Sequence, residues 1–249
     1  MRRIVLFLSL AALLTIASHP AQAIGVETLS EGFEDVSALP GEGWSLVNQS
    51  NPAFDDPTDP LQGWFQGTSD LFTTSDGPSN SYIAADFSST PGDPFTGVGT
   101  VNNYLITPEL DISQGGAFSF STRTFVGAEG NFSLNVLLCT TDCSNTANFN
   151  TSLLSLSNNQ AQGSFYPGSL ASSDAFENFS VDIAAQANGE ASRIAFQFTT
   201  PEGGTASTTF PAVGIDTVNY VPEPTVGISS GLLLLLGGAA LRRRWRPRS

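Results

Sequence analysis

Three segments of the chain alternate apolar and polar residues with a period of two. Successive side chains of a β-strand point to opposite faces of a sheet, so this period predicts strands with one buried face. The apolar members are Phe118 and Phe120; Phe132, Leu134, Val136 and Leu138; and Ile194, Phe196 and Phe198.

Weaker strand patterns occur at 44–48, 81–87, 103–106, 179–183 and 213–220. The chain has 24 glycines and 15 prolines, which favour tight turns between short strands. Eight or more strands predict an all-β fold, a jelly-roll-like antiparallel β-sandwich. Residues 24–220 show no composition break, so we expect one domain there.

Two other apolar runs lie at the ends of the chain and carry basic flanks. Arg2 and Arg3 precede the first run, and the small-residue site Ala21-Gln22-Ala23 follows it. This order predicts a signal peptide over 1–23, cleaved after Ala23. A membrane-spanning helix is the alternative, but the run is shorter than the about 20 apolar residues that a bilayer requires.

The second run follows Pro222, Glu223 and Pro224 and precedes five arginines at positions 242, 243, 244, 246 and 248. It predicts a transmembrane helix over about 226–241 with the arginines on the cytoplasmic side and the domain outside.

The Pro-Glu-Pro motif, the apolar run and the arginine tail together resemble the PEP-CTERM sorting signal of Gram-negative bacteria that make exopolysaccharide. That resemblance assigns 221–249 to the signal and implies an exosortase, a membrane cysteine protease, as partner. It implies transient insertion in the inner membrane, then the cell surface or extracellular matrix as destination. An ordinary tail anchor is the alternative, although an anchor needs only the helix and the charges.

Charge limits the classes of partner. Residues 24–221 contain 22 acidic and two basic residues, a formal charge of −20, which repels nucleic acid and attracts cations. The one histidine, His19, lies in the predicted signal peptide, so the mature protein has no imidazole for general-base catalysis or zinc binding. Paired carboxylates still permit glycoside hydrolysis.

Cys139 and Cys143 enclose three residues. In an oxidising exported compartment this spacing predicts a disulfide that closes a short loop. A redox-active pair is the alternative, but the spacing is one residue longer than Cys-x-x-Cys.

Most of the predicted domain also resembles the choice-of-anchor J domains, which are related in pattern to cleaved-adhesin and MAM-type jelly rolls. The resemblance implies a surface location, with adhesion or carbohydrate association as a tendency. The blocks that carry it are Gly32-Phe33-Glu34, Gly43-Trp44, Gly63-Trp64, 81–85, Leu105-Ile106-Thr107-Pro108, 118–123, 193–196 and Gly214-Ile215-Asp216.

In MAM-like relatives, acidic residues at two matching positions hold a cation, which implies a structural Ca²⁺ between Glu34 and Asp216. Asp35 is a further candidate ligand, since calcium takes six to eight oxygen ligands. The alternative is that these acids cap turns or lie in solvent. The acidic stretch 55–60 lacks the order of an EF-hand loop and predicts a solvated turn.

These patterns favour a non-enzymatic surface or matrix protein that takes part in adhesion or associates with exopolysaccharide in a biofilm. A secreted carbohydrate-active hydrolase with two carboxylates is the alternative. A passive acidic coat protein without a selective ligand is the third hypothesis.

Overall fold

A computed structural model describes residues 25–53, 63–90, 99–124, 131–157, 175–201 and 211–224 of the 249-residue chain. The predicted signal peptide, the apolar run at 226–241, the arginine tail and the acidic stretch at 55–60 lie outside these ranges. No helix within them is long and apolar enough to cross a membrane.

The described residues form strands and three short 3-10 turns, at Leu39–Glu42, Phe87–Ser89 and Thr146–Asn148. The strands are β1 (Leu29–Glu31), β2 (Ser45–Asn48), β3 (Trp64–Gln66), β4 (Ile83–Asp86), β5 (Val101–Ile106), β6 (Gly116–Thr124), β7 (Ser133–Cys139), β8 (Thr151–Ser157), β9 (Glu177–Ile183), β10 (Arg193–Thr200) and β11 (Ala212–Pro222).

These strands build two antiparallel sheets. The six-stranded sheet has the order β3-β4-β11-β6-β9, and β1 also pairs with β11. The five-stranded sheet has the order β2-β5-β10-β7-β8. Side chains from both sheets form one hydrophobic core, so the predicted all-β antiparallel sandwich is confirmed.

Phenylalanine rings fill the space between the sheets. Phe118 and Phe120 of β6 meet Phe196 of β10, with ring centroids 5.7 Å and 4.9 Å apart. Phe132 lies before β7 and packs edge-on against Phe198, at 6.1 Å. The residues that alternate in the sequence are therefore the ones that face the opposite sheet, as their period predicts.

A second aromatic layer covers the outer face of the six-stranded sheet. Phe72, Tyr82 and Phe176 pack on one another there, and the Arg123 guanidinium lies 4.7 Å from the centre of the Phe72 ring. A Cβ atom on Gly214 would approach both Phe72 and Phe176 to 3.0 Å. Gly214, the third residue of β11, therefore gives these rings room to lie against the sheet.

Three strands are missing from the sequence-based prediction, namely β1, β3 and β8. The strands β1 and β3 have three residues each, which is too short to show a period. Among the described residues the strand β8 pairs with β7 alone, at the edge of its sheet, and it has the polar sequence TSLLSLS. Pairing with a neighbour defines these strands, whereas their own patterns do not.

Candidate functional site

Asp216, one of the two acids of the predicted cation site, lies at an irregularity in β11. This strand pairs with β4 as far as Ile215 and with β1 from Val218 onward. Its register against β6 shifts between Asp216 and Asn219, and Thr217 has a φ of +52°. Such a bulge redirects side chains at the point where it interrupts the ladder, and here that point is Asp216.

The Asp216 carboxylate is buried, with 1% of the residue exposed. Its Oδ2 accepts a hydrogen bond from the Ser75 backbone N–H at 3.0 Å, and its Oδ1 accepts one from the Thr217 hydroxyl at 3.1 Å. Burial raises the pKa of Asp216 above 3.8, and the hydrogen bonds from Ser75, Thr217 and the Asp76 backbone oppose that shift. All of these donors are neutral, so the buried charge is only partly compensated.

Glu34 follows β1 and lies against the same loop that binds Asp216. Its Oε1 lies 4.0 Å from the position that a Cβ on Gly77 would take. Ser81, at the other end of this loop, donates from its hydroxyl to the Gly32 carbonyl at 3.3 Å. The loop from Ser75 to Ser81 therefore binds Asp216 and lies beside Glu34.

Phe33 fixes the backbone before Glu34. It has a φ of +56°, a conformation that costs energy for a bulky residue. Its ring is buried and packs edge-on against Trp44 at 5.5 Å, while the Gln66 side chain donates to its carbonyl at 2.8 Å. These contacts hold the turn that directs Glu34.

Sequence reasoning overlooked Glu31 in this region. Its carboxylate accepts from the Phe33 N–H at 2.6 Å. Burial raises the pKa of Glu31, and the charges of Glu42 and Glu34 raise it further. Asp35 instead accepts from the Ser37 N–H at 3.0 Å in an exposed local turn.

The oxygen atoms around the bulge are the kind that hard cations prefer, since they belong to carboxylates, carbonyls and a hydroxyl. No group of three or more His, Cys, Asp or Glu side chains within the described ranges is arranged to hold a metal ion. A cation here would therefore depend on two carboxylates supplemented by backbone oxygens and water. These oxygen atoms are of the chemical type that Ca²⁺ binds, but two carboxylates are few for an ion that takes six to eight oxygen ligands.

A different kind of surface lies on the outer face of the five-stranded sheet. Phe196 and Phe198 point inward, so Gln197 between them points outward. Its Nε2 donates to the Asn102 side chain and to the Tyr104 hydroxyl, both at 2.8 Å.

The Gln197 network continues across the two strands on its other side. Asn135 donates from its side chain to Gln197 Oε1 at 3.2 Å, and the Ser155 hydroxyl donates to Asn135 Oδ1 at 2.7 Å. The connected side chains span β5, β10, β7 and β8, and we call them the amide row: Asn102, Tyr104, Gln197, Asn135 and Ser155. At about 4.8 Å per strand the row spans about 14 Å.

Charge is divided unevenly between the two sheets. The five strands of the sheet that carries the amide row contain no aspartate or glutamate. The strands of the other sheet contain acids at Glu31, Asp86, Glu177, Asp182 and Asp216. The amide row therefore forms a neutral polar face on a strongly acidic protein.

A loop closed by a disulfide covers one part of this face. Cys139 and Cys143 are bonded, with their sulfur atoms 2.13 Å apart. Cys139 and Phe149, at the two ends of the covering segment, are buried against Tyr104, Ile106 and Ala195. The disulfide thus holds the 140–148 loop beside the outer ends of β5 and β10.

A cavity of about 510 Å³ opens between this loop and β2. Val47 and Ile106 contribute apolar walls, and the charged groups in its lining are Glu109, Asp142 and Arg193. Sequence reasoning missed this cavity because its residues are far apart in the chain. The alternation of β10 could have indicated Arg193 and Gln197, because residues next to the inward-facing Ile194, Phe196 and Phe198 must point outward.

The predicted sorting motif begins where β11 ends. Pro222 pairs with Gly116 as the last residue of the strand, and the Glu223 N–H donates to the Gly115 carbonyl at 3.2 Å. Glu223 and Pro224 are exposed. They line a second cavity, of about 310 Å³, which also includes Glu27 and Asp111.

Comparisons with known proteins identify the architecture. The chain is similar to the K1 cleaved adhesin domain of Lys-gingipain from Porphyromonas gingivalis W83, at a TM-score of 0.52 and 20% identity, over 79% of this chain and 99% of that chain. The chain has the cleaved-adhesin fold. The K2 cleaved adhesin domain of Lys-gingipain is also similar, at a TM-score of 0.50 and 16% identity, over 78% and 99% of the respective chains.

No protein-family model and no curated protein matches the chain. At these identities the structural similarity shows the fold, which many proteins use for different functions. The cleaved-adhesin part of the sequence resemblance is thus confirmed as architecture.

The buried Asp216 carboxylate predicts a pH dependence of stability in the absence of divalent cations. Its pKa is raised in the folded state, so the folded protein binds this proton more tightly than the unfolded protein does. In chelator, the free energy of unfolding should fall as pH rises from 3.8 through the raised pKa of Asp216. Urea denaturation across this interval measures the change.

Asp216→Asn should reduce this decline, and the part that remains should include the contribution of Glu31, whose pKa is also raised. Glu177→Gln, a change of an exposed acid on β9, is the matched control and should leave the decline unchanged. If the free energy of unfolding declined equally in Asp216→Asn and the parent protein, burial would not raise the pKa of Asp216.

Proposed function

We propose that this chain is an exported, non-enzymatic protein of the cell surface or extracellular matrix that binds exopolysaccharide or surface glycans. The amide row is the observation that carries the proposal. Each sugar hydroxyl donates and accepts hydrogen bonds, and an amide side chain offers both partners without charge. A neutral polysaccharide finds such partners across four strands of one sheet.

The amide row retains hydrogen-bonding capacity for a ligand. Asn102 accepts a bond at Oδ1, and its Nδ2 group donates to no described residue. Tyr104 is buried, with 8% of the residue exposed; it accepts from Gln197, and its own hydroxyl hydrogen is not donated within the described structure. These donors are held in place by the bonds already formed, which lowers the entropic cost of binding a ligand.

The cleaved-adhesin fold supports the same proposal, because the similar Lys-gingipain domains are named as adhesins. Adhesion requires a surface for recognition and no reacting group. The amide row provides such a surface in this chain.

The alternative of a carboxylate-based hydrolase receives less support. Glycoside hydrolysis needs a carboxyl of raised pKa beside the sugar. The described carboxyls whose pKa is raised are Glu31 and Asp216. Neither lines the cavity beside the disulfide loop or the cavity beside the Pro-Glu-Pro motif.

Sorting by an exosortase-type protease is a second part of the proposal. The order of the Pro-Glu-Pro motif, apolar run and arginine tail in the sequence is its main support. The exposed Glu223 and Pro224 at the end of β11 fit it, because a protease needs access to the peptide beyond the folded domain. Export would begin with the signal peptide at 1–23.

A structural Ca²⁺ between Glu34 and Asp216 is the third part. The buried charge of Asp216 and the repulsion that Glu31 experiences from Glu34 and Glu42 support it. A bound divalent cation would offset both unfavourable terms. It would also hold β1 and the loop from Ser75 to Ser81 against the bulge.

Binding of the mature protein to the exopolysaccharide of its native host, and to an array of neutral oligosaccharides, tests the first part. The double variant Asn135→Ala, Gln197→Ala should bind about 10-fold or more weakly, because it removes the amides that hold Asn102 and Tyr104 in place for the sugar. Isothermal titration calorimetry measures the affinity. Asn178→Ala removes an amide from β9 of the other sheet and should bind as the parent does. Parent-like binding by the double variant would refute the amide row as the binding surface.

Calcium should stabilise the protein against unfolding. At about 100 times its Kd, a cation that binds only the folded state adds about 2.7 kcal/mol to the free energy of unfolding. Glu34→Gln and Asp216→Asn should lose this increment, whereas Glu177→Gln should keep it. Thermal denaturation with calcium and with chelator measures the difference. An equal increment in all four proteins would place any bound cation elsewhere.

Mature protein from the native host should lack the arginine tail at 242–249 if the sorting proposal is correct. Substitution of Pro222, Glu223 and Pro224 by alanine should leave the tail attached and the protein in the membrane fraction. Mass spectrometry of C-terminal peptides from envelope and medium gives the result, with Glu177→Ala as control. A tail that persists in the parent protein contradicts processing.

A further inference from the structure

We propose that the cavity between the disulfide loop and β2 is a saccharide subsite that takes a short, neutral segment of a glycan. The inference rests on the proposed glycan binding and extends it from the amide row to a partly open cavity on the same side of the sheet. Its volume of about 510 Å³ lies within the range of about 300–1,000 Å³ that is typical of ligand pockets.

Arg193 supplies oriented donors in this cavity. Its Nη1 donates to the carbonyls of Gly43 and Thr107, at 3.1 Å and 3.2 Å. Its Nη2 lies 3.7 Å from Glu109 Oε1, which is an ion pair too long for a hydrogen bond. A guanidinium has five N–H donors, so the Nη2 and Nε hydrogens remain without hydrogen bonds to described residues.

The guanidinium is therefore fixed on one edge and available on the other. Its side chain is 22% exposed, which admits a ligand while limiting the motion of the group. Arg123, the other basic residue of 24–221, is buried against Phe72. Arg193 is thus the accessible positive group of this span.

Acceptors line the same space. Glu109 and Asp142, which carry carboxylates, are among the lining residues. The Ser144 hydroxyl donates to Asp142 Oδ1 at 2.7 Å and so orients the carboxylate. Asp142 lies in the disulfide loop with a φ of +51°. Carboxylates accept from sugar hydroxyls, while the guanidinium donates to hydroxyl or ring oxygens.

The apolar part of the lining fits the carbon face of a sugar ring. Val47 and Ile106 lie on β2 and β5, and Cys143 adds the disulfide sulfur. A cavity that combines apolar walls with a few oriented polar groups is the usual form of a small-ligand site. The disulfide fixes one wall because it closes the loop that bears Asp142.

The charges determine which saccharides enter. One guanidinium and two carboxylates give the lining a net negative charge, so the carboxylate of a uronic acid is repelled. The hydroxyl groups of a neutral sugar can hydrogen-bond to both the donors and the acceptors of the lining without this electrostatic repulsion. The amide row makes the same selection, so one neutral glycan satisfies both surfaces.

Isothermal titration calorimetry of the mature protein with neutral oligosaccharides and their uronic-acid counterparts tests the subsite. Ala191 is exposed and lines the cavity, so Ala191→Trp should obstruct it without removing a polar group. We expect about 10- to 100-fold weaker binding of the neutral oligosaccharides. Ala187→Trp, at an exposed alanine outside the lining, should bind as the parent does.

Asp142→Asn provides a second variant that should fold normally, because asparagine tolerates positive φ. It should weaken binding of the neutral oligosaccharides and relieve the exclusion of uronic acids. Parent-like affinity in both variants would overturn the subsite while leaving glycan binding by the amide row intact. A parent preference for uronic acids would also overturn it. Absence of binding to every saccharide would overturn the proposed function together with the subsite.

Discussion

The pairing of β11 is the constraint on which both the sandwich and the candidate cation site depend. One edge of this strand pairs with β6, and the other pairs first with β4 and then with β1. The register shift after Asp216 lies where the partner changes from β4 to β1. The bulge that allows one strand to hold three neighbours therefore also buries a carboxylate. The same bulge in β11 thus determines both the strand pairing of the sheet and the position of Asp216.

The two sheets use their outer faces differently. Aromatic rings and Arg123 cover part of the six-stranded sheet, whereas the outer face of the five-stranded sheet has the amide row and the disulfide loop. Since acids are absent from the strands of the second sheet, the acidic field of the molecule arises elsewhere. Such a field limits approach by anionic partners, and a neutral glycan contacts the amide row without that repulsion.

The strongest strand predictions came from residues whose burial is dictated by their own alternation. Phe118, Phe120, Phe196 and Phe198 all face the core, because a period of two determines one face of a strand without reference to its neighbours. The strand β8 was missed since an exposed edge tolerates a polar sequence. Glu34 and Asp216 came from a family resemblance, and the loop from Ser75 to Ser81, which binds Asp216 and lies beside Glu34, was not apparent in the sequence.

The sequence by itself determined the all-β class, the aromatic core and the acidic charge, because these follow from local period and composition. It could not determine which outward side chains become neighbours. Tyr104, Gln197 and Asn135 are separated by long stretches of chain, and only the order β5-β10-β7 makes them one hydrogen-bonded row. The cavity of Arg193, Glu109 and Asp142 was likewise decided by tertiary structure. Strand order and loop closure set those distances, and neither is encoded in the spacing of residues along one segment.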